Sequence, residues 1–385
     1  MGFKDESGSF LKIVGFTVAD GKQQVLSDKK WNSMWGMIWL SNGSLVVSAK
    51  EKYSDASQLW SVPLGGEPRA ITSGLVSYWG LSATRSGDIL LTRQLSGSNS
   101  DSTDLWILPG NDASKAKRVT TSGEIQGRFT WAPDGRIVMS SDTSGDRDIW
   151  IMNPDGTGRK QLTRDPGGDV HPAVSPDGKY IAFTSNRVNG VDHIFLMDID
   201  GGNVKQLTQG QQEILPSFSP DGKWVYFTEK PWKMVRRVSV NGGESTLVAT
   251  APDGWALTQG IDVNRTDGRL LYGLQQQSAN GMQFKVGILP TKGEAKLIDV
   301  PANLSAGRPR WAPDNRTIAL HGLVDGRSEI WSMPVDGKGK PRQLTDFRTP
   351  DTSTHGFGWT VDGKQLLVSR STFTMNPVLI RNSGN

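Results

Sequence analysis

One hairpin signal recurs eight times along this 385-residue chain at a pitch of 43 to 48 residues, and that repeat limits the possible folds more than any other feature. The clearest unit reads AVSPDGKYIAFTSNRVNGVDHIFLMDIDGGNVKQLT over residues 173–208, and TWAPDGRIVMSSDTSGDRDIWIMNPDGTGRKQLT precedes it. The turn residues Gly43, Gly87, Gly135, Gly178, Gly222, Gly268, Asn315 and Gly363 mark the copies. In each, an apolar strand enters, an S-P-D-G-like turn reverses it, and an alternating strand leaves. Pro176 presets φ, and Gly178 supplies a left-handed residue that completes the hairpin. Asn315 stands in for glycine in one copy because Asn tolerates that conformation best. On this reading Gly178→Val is damaging and Asn315→Gly is neutral or mildly stabilising.

A third strand of Leu-Trp or Ile-Trp type follows in most copies, at Leu59-Trp60, Leu105-Trp106, Ile149-Trp150, Ile194-Phe195 and Ile330-Trp331. A short strand ending in Q-L-T closes the unit. Four strands at this period form the blade of a β-propeller. The chain is therefore expected to be all-β, with a tail over residues 1–10 and a single propeller of eight blades over 11–385. Seven blades plus a stray unit is the alternative. Closure is expected in one blade shared by the two ends, with Gln23–Ser27 beside Val378–Ile380, which would remove an exposed edge. The 45 glycines, 20 prolines and 14 tryptophans suit many short strands and tight turns.

The pattern S/A-P-D-G, then I-W-x-M, then D-G and Q-L-T, resembles the TolB-type propeller repeat, which also occurs in propellers of prolyl-oligopeptidase-like peptidases. The resemblance runs from about Leu11 to Arg381 and is strongest between Arg128 and Gln211. The opening at Trp39, the LTDF at 344–347 and the terminal VLIRN look most like the C-terminal propellers of membrane-anchored bacterial serine/threonine kinases and winged-helix regulators. That resemblance implies an extracytoplasmic sensor. Two departures stand beside it: no α/β domain precedes the repeats, and neither a kinase nor a helix-turn-helix segment accompanies them. MGFKDESGSF lacks an apolar signal-peptide core, so an export or anchoring segment is expected outside these residues.

Chemical motifs are scarce. The sequence contains no cysteine, no G-x-S-x-G, no H-E-x-x-H and no P-loop. No catalytic residue, metal ligand or cofactor is expected. The net charge of +4 is spread along the chain with no basic run, which argues against nucleic acid. Asp142, Asp146 and Asp148 could suggest calcium. Asp104 and Glu329 take the place of Asp148 in other units, so the recurring acid reads as structural. Trp39, Trp131, Trp311 and Trp359 share a position that is apolar in every copy and read as packing between blades. His193 and His321 read as ordinary loop or surface histidines.

Positions that the repeat does not dictate carry more information. Seven residues before each turn marker stand Gly36, Gly80, Arg128, His171, Leu215, Ile261, Arg308 and Gly356, and one residue earlier come Trp35, Trp79 and His355. Acids and amides (Asp169, Glu213, Gln126, Gln259) and Tyr78 precede these by one more residue. The first strand lines the centre of a propeller, so Trp35, Trp79, Arg128, His171, Arg308 and His355 are candidates for a ligand-binding channel mouth. Arginine forks, imidazoles and aromatic edges suit a small anionic or carbohydrate ligand. The expected function is a monomeric, non-catalytic sensor module that binds such a ligand or a protein. An envelope scaffold is one alternative. A lyase for acidic sugars, with metal on His171 and His355, is another, although in an eight-bladed ring those histidines would face each other across the channel.

Overall fold

A computed structural model describes residues 2–5, 8–51, 57–73, 77–84, 89–96, 102–120, 125–144, 146–278, 281–324, 327–347, 352–372 and 374–381. They form two compact units, residues 1–100 with 373–385, and residues 101–372.

The larger unit contains six four-stranded antiparallel groupings, each beginning with one of the strands Ile125–Trp131, Asp169–Val174, Glu213–Phe218, Ala256–Val263, Leu304–Trp311 and Thr352–Trp359. Sheets one to five each take four successive strands. The sixth is composite. Thr352–Trp359 and Gln365–Thr372 are joined by Ser102–Pro109 from the other end of the unit, in register from Asp104↔Arg370 to Pro109↔Gln365, and Lys117–Arg118 forms the outer edge. Each sheet packs on the next, and the first strand of the sixth also packs on that of the first. Between neighbours the core is apolar: Ala182, Leu196 and Leu207 of the second sheet meet Phe218, Val225 and Phe227 of the third. Fully buried aromatic side chains such as Phe183 and Phe227 contribute roughly 1.5–3 kcal/mol each.

The turns form as their residue types dictate. Ser175 Oγ donates to Asp177 Oδ1 at 2.7 Å, Asp177 accepts the Lys179 N–H at 3.1 Å, and Gly178 lies at φ +73°. Those hydrogen bonds, from the Ser175 hydroxyl first, hold the Asp177 carboxyl below its ordinary range. Asn315 is left-handed as expected, at φ +57°, but it does more than glycine could. Its amide accepts from Asn264 Nδ2 and donates to Thr266 Oγ1, both at 3.1 Å, and so bridges two sheets. Gly87 lies outside the described residues.

The recurring acid is structural, as its repetition suggested. Where the acid is present, the threonine at the end of the fourth strand donates to it and accepts an N–H from the third strand. Thr345 Oγ1 donates to Glu329 Oε2 at 2.6 Å and accepts the Ile330 N–H at 2.9 Å, and Thr163 serves Asp148 and Ile149 in the same way. Thr120 serves Asp104 and Leu105, while Thr72 meets Gln58 and Leu59. In the second sheet His193 occupies the acid's position. There Thr208 turns to Glu213 of the third sheet at 3.0 Å, and His193 Nδ1 lies 2.6 Å from the same carboxylate. His193 is accordingly buried rather than a surface residue.

The smaller unit holds one four-stranded sheet, Ser33–Trp39, Leu45–Lys50, Gln58–Val62 and Arg69–Ala70. Two three-stranded sheets accompany it, one over 2–31 and one made of Ser77–Ala83, Ile89–Ser96 and Thr374–Arg381. Three expectations are corrected here. Residues 2–5 and 8–10, taken as a tail, lie in strands. Gln23–Ser27 pair with Ile13–Phe16, and Val378–Ile380 pair with Leu90–Thr92, so the terminal strands do not share a blade. The strand Ser102–Pro109, read as part of the second of eight equal blades, pairs with Gln365–Thr372 instead, because a four-stranded sheet can be completed by any third strand of matching register. Of the four tryptophans assigned to packing, Trp131 and Trp311 are buried, whereas Trp39 in the smaller unit is 58% exposed.

Candidate functional site

Each copy shifts its ladder at, or immediately before, the position singled out above. The first two strands shift register between Met34 and Gly36, Trp79 and Leu81, Ile125 and Phe129, and Val170 and Ala173. The same shift falls between Ile214 and Ser217, Leu257 and Ile261, Ser305 and Arg310, and Thr354 and Gly356. A bulge releases its residue from pairing and re-aims the side chain. His171 and Leu215 even take left-handed backbone, at φ +56° and +66°. Where the residue is released in this way, as at Arg128, His171, Leu215 and Arg308, the ladder places no demand on its type.

In the larger unit these bulges gather Arg128, His171, Arg308 and His355. Arg128 is 9% exposed, and neither its Nε nor its Nη2 has a hydrogen-bond partner among the described residues. It lines a narrow gap together with Phe129, Arg308, Arg310, Gly356 and Phe357. Burial, then the Arg308 and Arg310 charges, push its guanidinium well below the ordinary range, and Asp262 only partly offsets them. That carboxylate is already engaged, accepting from Arg310 Nη1 at 3.2 Å and the Trp311 N–H at 2.8 Å. His171 is driven well below its usual value by burial and by Arg128, Arg308 and Arg147, and its Nδ1 is buried without a partner. Arg308 Nη1 donates to the His355 carbonyl at 2.6 Å, and His355 Nε2 lies 2.7 Å from Ser371 Oγ. His171 and His355 sit in the second and sixth sheets, which flank the first, so they do not face each other across an eight-bladed ring.

The remaining candidates fall elsewhere. Trp35 and Trp79 belong to the smaller unit. Trp35 is 38% exposed with Lys50 Nζ 5.4 Å from its ring, and Trp79 stands opposite Arg93 in its strand. The acids two residues before the bulges are committed to structure. Asp169 accepts from Arg187 at 2.6 Å, and Glu213 serves His193 and Thr208. Asp148 takes Ser144 Oγ, Gln161 Nε2 and Thr163 Oγ1, which uses the carboxylate considered for calcium.

One residue of the site escaped sequence reasoning. His321 has two buried ring nitrogens without partners and makes an edge contact with Phe357, 5.0 Å between centroids. Burial, then Arg308 and His355, lower its pKa to about 3. It lines a cavity of about 730 Å³ together with Arg308, His355, Trp232, Leu257, Phe284 and Leu304. A signal was present in the sequence. At the matching place of the second strand, other sheets of the larger unit carry Ser140, Thr184, Thr228 and Ser369, small hydroxyls bonded to first-strand backbone.

Residues 97–255 match the family model described as the TolB beta propeller domain. An uncharacterised protein of Agrobacterium fabrum strain C58 is 29% identical over 181 residues, which is 43% of this chain and 58% of that one. A TolB homolog of Chlorobium luteolum is 35% identical over 75 residues, 20% of this chain and 17% of its own length. The chain thus spans little more than half of the first relative and far less of the second. A solved TolB-type structure from Agrobacterium tumefaciens superposes with a TM-score of 0.55 at 17% identity, covering 73% of this chain and all of that one. That likeness shows the fold. The chain is all-β, and its residues 97–255 match the TolB-type propeller domain.

Proposed function

We propose that residues 101–372 are a six-bladed, non-catalytic binding propeller whose centre captures an anionic group. Arg128 carries this reading. A buried guanidinium with two unpartnered nitrogens, pressed by two further arginines, is costly unless an anion completes its hydrogen bonds. Arg308, on the adjoining gap wall, can share that anion, and the imidazoles of His171, kept uncharged by burial, and His355 add further donors. The module fits an extracytoplasmic sensor, the role implied by its resemblance to receptor propellers. No helix among the described residues is long and apolar enough to cross a membrane, so such a role requires a leader or anchor outside them. A flanking coding sequence with neither would overturn the location while leaving the binding reading intact.

Calorimetric titration with inorganic phosphate and with glucuronate tests the binding. Affinity should fall as salt rises and drop at least tenfold in Arg128→Lys, Arg308→Lys protein whose circular dichroism is unchanged. Binding indifferent to both arginines would overturn the proposal. A second reading, an envelope scaffold acting through protein contacts, is favoured by one observation. Phe16, Trp39 and Leu64, each more than half exposed, line a single groove of about 590 Å³ in the smaller unit.

A further inference from the structure

The turns that join first and second strands in the larger unit meet their neighbours by one rule, which a single seam breaks. Pro133, Pro176, Pro220 and Pro313 each lie against the turn glycine of the next sheet, namely Gly178, Gly222, Gly268 and Gly363. Between the fourth and fifth sheets Asn315 replaces the glycine, and Arg265-Thr266 replaces the proline. The fourth turn is therefore one residue longer. Its Gly268 N–H bonds back four residues to the Asn264 carbonyl, whereas Gly135, Gly178, Gly222, Asn315 and Gly363 each bond back three. Asn264 and Thr266 hold the seam through the Asn315 side chain, so the fold does not call on Arg265. A local rule broken in this way, with compensation beside it, points to a role other than packing.

The released arginine lines a cavity of about 190 Å³ with Arg310, Thr266 and Trp359. Arg265 is exposed there and makes no hydrogen bond or ion pair with a described residue. Two carboxylates share the lining, and both are engaged. Asp262 accepts from Arg310 Nη1 and the Trp311 N–H, and Asp362 from Thr360 Oγ1 and the Lys364 N–H. Thr266 Oγ1 accepts from the Asn315 amide, which leaves its own hydrogen for another acceptor. Arg310, Phe129 and Phe357 line both this cavity and the arginine gap, whereas Arg308 joins the gap to the 730 Å³ cavity.

We propose that the smaller cavity is a second anion site, which holds a tetrahedral oxyanion, free phosphate or the head of a phosphate monoester, on Arg265, Arg310 and Thr266. Three donor groups around one small space suit an ion with several acceptor oxygens better than a carboxylate with two. Arginine forks match phosphate oxygens in pairs. The site goes beyond the reading of Arg128 and does not depend on it.

The test is calorimetric titration of the full chain with inorganic phosphate, phenyl phosphate and acetate at one ionic strength. It is run on the parent, on Arg265→Gln and on the Arg128→Lys, Arg308→Lys protein. Arg265→Gln should melt with the parent, because its side chain bonds to no described residue. The double-lysine protein should keep one phosphate site, which adding Arg265→Gln weakens at least fivefold. Acetate should bind that site at least fivefold more weakly than phosphate. Phenyl phosphate held at least threefold tighter than phosphate would identify a monoester, and equal affinity the free ion. Phosphate binding lost with Arg128 and Arg308 but indifferent to Arg265 would overturn this inference and leave the reading of the gap standing. Binding lost with Arg265 alone would do the reverse, and if no phosphate binds at all, this inference falls.

Discussion

Arg308 Nη1 donates to the carbonyl oxygen of His355 at 2.6 Å, a charge-assisted bond from the first strand of the fifth sheet to the first strand of the sixth. It lies beside Ser328 and Thr354, which bond across the same seam. One side chain therefore fastens the composite sheet and presents a charge to the cavity.

That dual role separates two substitutions. Arg308→Lys keeps the charge but not the planar fork, so urea unfolding followed by tryptophan fluorescence should show a loss of about 1–2 kcal/mol. Arg308→Ala should lose that stability and the anion binding together. An unchanged midpoint in both variants would mean that the seam does not depend on this bond.

The turn residues make a contrasting pair. Gly178 at φ +73° has ordinary van der Waals room for an added Cβ but the wrong backbone, so Gly178→Val should cost roughly 1–3 kcal/mol through conformation alone. At Asn315 the structure reverses the expectation drawn from φ. Glycine would suit the backbone, yet it would remove the partner of Asn264, which is fully buried. Asn315→Gly should therefore destabilise by about 1–2 kcal/mol. Thermal melts of both variants decide the matter, and an Asn315→Gly protein as stable as the parent would show that the inter-sheet bridge contributes nothing.

Much of this architecture was legible because each copy carries its own instructions. The Ser175–Asp177–Gly178 turn and the Thr345–Glu329 bond are local, so they can be read wherever the residues recur. The pairing of Ser102–Pro109 with Gln365–Thr372 was not legible, because Leu105-Trp106 is as good a third strand there as for its own neighbours. Nothing within a unit says which end will supply the strand. At the site, Arg128, His171, Arg308 and His355 stood out where a bulge frees the sequence from the ladder. His321 did not, because taken alone it reads as an ordinary loop or surface histidine, and only the hydroxyls at its place in other sheets set it apart.

His321 also sets a pH dependence. Its pKa in the folded protein is about 3, whereas an exposed histidine titrates near 6.5. The unfolded chain therefore takes up a proton that the folded one refuses, so stability is full above about pH 6.5 and declines as pH falls toward 3. The limiting slope is about 1.4 kcal/mol per pH unit for one such group. His171 shifts in the same direction and adds to it. Arg308 and His355 are the charged or titratable neighbours that disfavour the protonated ring. Denaturant unfolding between pH 7 and pH 4.5 should show a shallower decline in His321→Ser, and an identical slope in that variant would assign the dependence to other groups.

The composite sheet leads to the last prediction. All four strands of that sheet, Thr352–Trp359, Gln365–Thr372, Ser102–Pro109 and Lys117–Arg118, lie within residues 101–372, as do the strands of the other five sheets. The apolar clusters that join these sheets likewise draw only on residues of this segment. A fragment of residues 101–372 should consequently fold alone and unfold in one cooperative transition, because each of its six sheets is completed within the segment. Removing residues 101–118 from the fragment strips the third and fourth strands from the sixth sheet and exposes Leu366 and Val368, both buried in the whole chain. The shortened fragment should lose cooperativity and aggregate. A single eight-bladed ring predicts instead that residues 101–372 form an open arc and that neither fragment is stable. Circular dichroism melts and size-exclusion chromatography of the two fragments separate these outcomes: a 101–372 fragment that is unfolded or aggregated would overturn completion of the sixth sheet by Ser102–Pro109.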